Sequence, residues 1–340
     1  MGPIAATARQ QPMMMFSQRL NMNGPSPALT PRGLGGSSRP RLRHRAIALA
    51  VAALTLWSVP VLAGDPFRAT DPYPISDRTE AAFRTLFEQG NYPEARRLAT
   101  EALAQETNEP LLPAMLAAIA YLYEDRAAIS TYADQTLSAA AQLRQSAPLR
   151  AELYQAVGQF MQGAATFSEG GLEAIPTALG KVGEVRQSLA QARAIAPDDP
   201  ELNLIAGLMD IVLAVYLPFG NVERALATLD RGAPPYLVER GRAVAYRRLD
   251  RETDALAAVD RAIALTPNNP ELWHLKAQLL YSLGEASKNV GQLQQSVALF
   301  EQVLAQEATL PPELIDHLKD NELRRARRAI CRIQTGGDRC

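Results

Sequence analysis

A unit of 34 residues, 236–269, carries the pattern that most limits what this chain can become. Small or apolar side chains stand in it at Ala243, Tyr246, Ala255, Val259 and Ala262, and Pro267 closes it. A break near Asp250 divides the unit into two helical halves. The next unit opens Pro270-Glu271-Leu272-Trp273, carries Ala277 and Leu280, turns near Gly284, and resumes at Gly291 with Ser296, Phe300 and Val303. Residues 76–109 show Leu86, Gly90, Ala95, Ala99 and Ala102 at matching offsets, and Asp77 with Glu80 fits a capping box at the first helix. Two short helices cross closely only where a side chain is tiny. Neither buries its apolar face alone, so such pairs must stack.

Other units are more worn. Ala192, Ile195 and Pro197 end a helix as Ala262, Leu265 and Pro267 do, and Pro200-Glu201-Leu202 mirrors Pro270-Glu271-Leu272. Gly207 takes the small position that Ala277 holds, and Ala225 and Leu229 follow after an extension ending at Gly220. Residues 110–147 and 148–199 keep helical spacing with few signature positions; Glu169-Gly170-Gly171 and Pro176 read as a loop inside the over-long second. Across residues 76–310 the pattern resembles the tetratricopeptide repeat (TPR) family. The resemblance implies an all-α, TPR-like helical-repeat solenoid, a right-handed superhelix of about six antiparallel helix pairs, some degenerate. Leu314, Ile315, Leu318, Leu323 and Ile330 make residues 311–333 a C-terminal capping helix, with 334–340 as a tail.

The first 63 residues belong to a different chemistry. They contain seven Arg and no Lys, Asp or Glu, which leaves 28 of the 35 basic residues to face all 36 acidic ones in the remainder, a net of −8. Residues 1–38 are rich in Met, Pro, Gly and Ser and build no core. Arg39, Arg41, Arg43 and Arg45 then form a basic n-region, 46–59 an apolar h-region, and Val61 and Ala63 offer small residues before Gly64. The expectation is a basic leader with a secretory signal peptide cleaved after Ala63, an uncleaved anchor being the alternative. Residues 64–75, with Pro66, Pro72 and Pro74, read as an extended linker. The whole resembles exported TPR proteins of cyanobacteria, which as a group lack a defined activity, and that resemblance implies the periplasm or a thylakoid lumen as the compartment.

Enzyme signatures are missing from the sequence. Gly180-Lys181-Val182 lacks the hydroxyl a phosphate loop needs, and there is no Gly-x-Ser-x-Gly elbow. His274 and His317 are too far apart for a local metal motif. The expectation is a non-enzyme with no catalytic residue, no metal and no cofactor. A formal net charge of −1 gives no reason to expect nucleic acid.

Binding residues follow from the resemblance. TPR-like scaffolds line a groove with the second, fifth, ninth and twelfth residues of each first helix. Here these are Leu237, Arg240, Val244 and Arg247, then Glu271, His274, Gln278 and Tyr281. The resemblance implies a protein or peptide partner for this groove. Residues 202–219, apolar nearly all round, favour a buried core helix; the alternative function is a lipid or cell-envelope binding module using an apolar groove there. Arg324, Arg325, Arg327 and Arg328 suit the end of a helix dipole, or peripheral contact with an anionic membrane or acidic partner. In an oxidising compartment Cys331 and Cys340 would close a small disulfide loop over Gly336 and Gly337.

Overall fold

The computed structural model describes residues 64–170, 175–216 and 221–336, and among these the regular elements are helices. They pair in order: α1 (Asp77–Phe87) with α2 (Tyr92–Leu103), α3 (Leu111–Leu122) with α4 (Arg126–Gln142), and α5 (Pro148–Gly170) with α6 (Ile175–Ile195). Then come α7 (Pro200–Tyr216) with α8 (Val222–Leu229), α9 (Pro235–Arg248) with α10 (Glu252–Leu265), and α11 (Pro270–Ser287) with α12 (Val290–Leu304). This is the all-α helical-repeat architecture the sequence pattern implies. The chain closes with α13 (Pro312–His317), a π-helical turn (Leu318–Glu322) and α14 (Leu323–Thr335), which packs on α12. Residues 1–63, expected to be a basic leader and signal peptide, lie outside the described residues.

One turn chemistry recurs between the two helices of a pair. A single left-handed residue is followed at once by the start of the second helix: Gly90 before Asn91, Glu124 before Asp125, Asp250 before Arg251 and Lys288 before Asn289. The amides of Asp125, Arg251 and Asn289 reach back to the carbonyls of Ala120, Tyr246 and Gly284, which closes the first helix in a Schellman-type cap. The side chains of Asn91, Asp125 and Asn289 then accept from Glu94, Ala128 and Gln292 amides and open the second. Gly284 is therefore not the turn expected of it. It lies inside α11, where a Cβ would stand 2.9 Å from Leu293 Cγ, so its role is close approach of α12.

Small residues carry the crossings elsewhere too. Ala243, Ala255, Ala262 and Ala277 are fully buried, and a Cβ on Gly207 would meet Leu229 Cγ at 2.7 Å. With aromatics only 6% of the chain, this is how helices come close enough to exclude water.

Two further expectations change. α1 is capped by Ser76, whose hydroxyl accepts from the Thr79 amide, so Asp77 and Glu80 form no capping box. Glu169 and Gly170 continue α5 and Pro176 sits in the first turn of α6, where its missing N–H costs no helix bond, so the over-long unit is a pair of long helices. Gly171 lies outside the described residues.

Candidate functional site: the first-helix face of the array

The residues 64–75, expected as a linker, are an inserted strap. The backbone is irregular, bent at 66–67 and 69–71 with Asp71 left-handed; Asp65, Phe67 and Ile75 are buried, and Phe67 packs edge-on against Phe83 of α1 with ring centres 5.1 Å apart. Asp65 organises the strap by accepting from the Phe67 and Tyr73 amides at 2.8 and 2.9 Å and from Arg68 at 2.8 Å. Proline suits this segment because it fixes a non-helical backbone that needs few ladder bonds.

Arg68 enters a buried cluster of carboxylates. Its guanidinium meets Asp199 and Glu201 at the start of α7, at 2.7 and 2.9 Å, and the Glu201 side chain is wholly buried. Glu201 accepts from the Tyr154 hydroxyl at 2.6 Å. Beside it, Arg150 of α5 donates both terminal nitrogens to Glu109, at 3.0 and 2.9 Å, and lies 4.1 Å over the ring of Tyr73 from the strap. The Arg150 Nε is 3.4 Å from Glu201 without hydrogen-bond geometry. Four carboxylates thus face two guanidiniums. The excess negative charge sits where Glu109 precedes α3 and Asp199 and Glu201 open α7, and helix N-termini favour anions there. Burial works against the Arg68 charge, but Glu201, then Asp65 and Asp199, outweigh it and hold the guanidinium above its ordinary pKa. Burial, then the Glu201 charge, pushes the Tyr154 phenol well above its usual range.

The sequence-derived groove residues come together farther along the same face. Arg240 pairs with Glu271, and Glu271 also accepts from the Tyr92 hydroxyl at 2.9 Å, which brings α2 against α11. Arg247 donates to Gln278 at 2.7 Å; Gln278 and His274 both reach Glu322 of the π-helical turn, at 2.6 and 2.5 Å. Burial alone would raise the Glu322 pKa, but His274 and then Gln278 hold it below the usual carboxylate range. Leu237 is core, Val244 packs half-buried between the core clusters, and Tyr281 lies beside Glu285, Arg325 and Arg332. The polar groups of this groove are thus engaged by the chain's own α2 and C-terminal turn.

Glu201 and Glu271 occupy the same place in their repeats, and each accepts one tyrosine hydroxyl and one arginine. The repeated Pro-Glu-Leu was visible in the sequence. Its partners Tyr154, Arg68 and Tyr92 were not, because no spacing rule connects them.

The other candidate features separate. In α7, Leu202, Leu204, Ala206, Met209 and Ile211 are buried in the core, and residues 217–219 lie outside or at the edge of the described chain. Along α14, Arg327 pairs with Glu301 and Arg324 donates to the Asp320 carbonyl, while Arg325 and Arg328 are exposed. Arg324, Arg327 and Arg328 flank an open cleft of about 450 Å³. Cys331 is half-buried on α14, and Cys340 lies outside the described residues. Among the described residues no helix is long and apolar enough to cross a membrane, and no group of His, Cys, Asp and Glu could hold a metal.

Residues 238–279, from the first turns of α9 into α11, match the model of the tetratricopeptide repeat family. No curated protein matches the chain. Repeats of this family are generally protein-interaction scaffolds and are typically non-catalytic.

Proposed function

We propose that the protein is a non-catalytic scaffold that works after export, holding another protein during assembly or maintenance of an envelope or thylakoid complex. The observation that carries this reading is the strap: the first-helix face holds a non-helical segment by burying an aromatic ring and seating an arginine among carboxylates. The same chemistry, an apolar anchor and a paired charge, can hold a segment of another protein. The groove of Leu237, Arg240, Val244, Arg247, Glu271, His274, Gln278 and Tyr281 is the proposed protein-binding surface. A partner there displaces Tyr92 or Glu322 from bonds they already make. The exposed arginines of α14 supply a peripheral contact with an acidic partner or anionic membrane, and Cys331 and Cys340 form a disulfide in the exported chain.

The test is affinity capture with the full chain expressed in its own host, followed by reconstitution from purified components. One protein recovered at fixed stoichiometry, rebinding in purified form and weakened by Glu271→Gln, supports the reading. Recovery of lipid alone, with no protein that rebinds, moves the function to a lipid or cell-envelope module.

A further inference from the structure

The geometry points to Glu80 as the receiving site for a free α-ammonium on Gly64, created by cleavage of the Ala63–Gly64 bond. This rests on the exported reading above. The step is a hydrolysis by an endopeptidase that selects small residues: water adds across the amide, Ala63 leaves with the new carboxylate, and Gly64 keeps the amine, protonated at neutral pH.

Two independent lines meet at this bond. The residue pattern before it, with Val61 and Ala63 at the small positions, marks it as a cleavage point without reference to the fold. The fold, for its part, holds the chain at the very next residue. Gly64 N donates to Glu80 Oε2 at 2.7 Å, and Asp65 and Phe67 are already buried. Glu80 is free for this because Ser76, not Glu80, caps α1.

Charge makes the case for an ammonium over an amide. The other Glu80 oxygen accepts from Arg84 Nε at 2.7 Å, and Arg84 also pairs with Glu88 at 2.7 Å. Two carboxylates therefore share one guanidinium, and an intact peptide bond at Gly64 leaves them with a surplus negative charge. The α-ammonium cancels that surplus and turns a neutral hydrogen bond into a charge-assisted one. The Glu80 side chain is only 17% exposed, so water screens the pair incompletely. Cleavage thus fastens the leading end of the strap, one residue before Asp65 and four before Arg68.

The test combines processing with a charge cycle. The full 340-residue chain is expressed in an exporting host and its mature mass measured. Because residues 62–340 form one compact unit, chains of 64–340 with a free or an acetylated Gly64 amine are then compared, each with Glu80 and with Glu80→Gln. The expected results are a mature chain that starts at Gly64, and a melting temperature lowered by Glu80→Gln about 2 °C more in the free-amine chain than in the acetylated one. Equal losses in both chains overturn the assignment of Glu80 even when the mature chain starts at Gly64. A mature chain that starts elsewhere overturns the cleavage point itself, and an unprocessed one overturns it in favour of the uncleaved anchor, leaving export to be decided by fractionation.

Discussion

Asn269 donates its side-chain amide to the carbonyl of Phe87, 2.9 Å away and 182 residues earlier in the chain. The same side chain accepts from the Glu271 amide and caps α11. One asparagine therefore starts the last repeat's first helix and ties it to the turn of the first repeat. At that contact Gly90 has a φ of +63°, and a Cβ on it would lie 2.5 Å from Asn269 Oδ1. The last repeat thus meets the first.

Closure is testable at both residues. Asn269→Ala loses a helix cap and a cross-array bond, and is expected to cost about 2–3 kcal/mol in urea denaturation. Asn289 caps α12 without such a bond, so Asn289→Ala should cost about 1 kcal/mol. Gly90→Ala combines left-handed strain with the clash and should cost at least about 1–2 kcal/mol. Equal effects at Asn269 and Asn289 would mean the ends do not meet.

Ala255 is fully buried on α10. Ala255→Leu overpacks the crossing with α9 and should lose roughly 1–3 kcal/mol. Arg251 on the adjoining turn makes an exposed pair with Asp254 and lies 4.6 Å over Tyr246. Arg251→Ala should stay under about 1 kcal/mol. Comparable losses measured by denaturant titration would contradict the packing.

Arg240→Glu distinguishes an engaged groove from a solvated one. With Glu271 and Tyr92 held beside it, reversal places two carboxylates together, and a loss of at least about 2 kcal/mol is expected. A surface residue on a free helix would change stability by under about 0.5 kcal/mol. Thermal unfolding of the variant checks this.

Glu322 gives the pH dependence. Its carboxyl has a folded pKa below the usual range, so it binds fewer protons folded than unfolded. Its stabilisation is present above the ordinary glutamate pKa of about 4.3 and is lost as pH falls through the lowered folded value. Wild type should exceed Glu322→Gln in stability near neutral pH, and the gap should narrow in acid. A gap constant from pH 7 downward would contradict the assignment.

The C-terminal cysteines are checked by thiol titration of the denatured, exported protein. No reactive thiol is expected, and Cys331→Ser should lose roughly 2–3 kcal/mol through loop entropy. Two titrating thiols would contradict the pairing.

The repeat itself was legible because close helix crossings demand small residues at fixed offsets, so Ala255, Ala262 and Gly207 announce the packing. The turns were less legible: Gly284 was read as one and lies inside α11, while Glu124 and Lys288 adopt the left-handed turn backbone without a residue type that signals it. Of the expected groove residues, Arg240 meets Glu271 and Arg247 meets Gln278, whereas Leu237 is core. What covers them was not legible. Tyr92 meets Glu271 across 179 positions, and Glu322 meets His274 across 48, and no local period encodes such distances. The prolines of 64–75 indicate a non-helical backbone, but they signal neither its bends at 66–67 and 69–71 nor whether it is free or docked. Docking is decided by Arg68, one basic residue whose acidic partners lie 131 and 133 positions away.

Amide hydrogen exchange at Phe67 and Tyr73 reports whether residues 64–75 occupy the first-helix face. Both amides donate to the buried Asp65 carboxylate. Their exchange is expected to be slowed by at least roughly a hundredfold relative to an unstructured peptide, and accelerated again in Arg68→Ala, where the strap loses its anchor. Exchange at the unstructured rate in the wild-type protein would make the segment the free linker its prolines suggest, and would leave the face open.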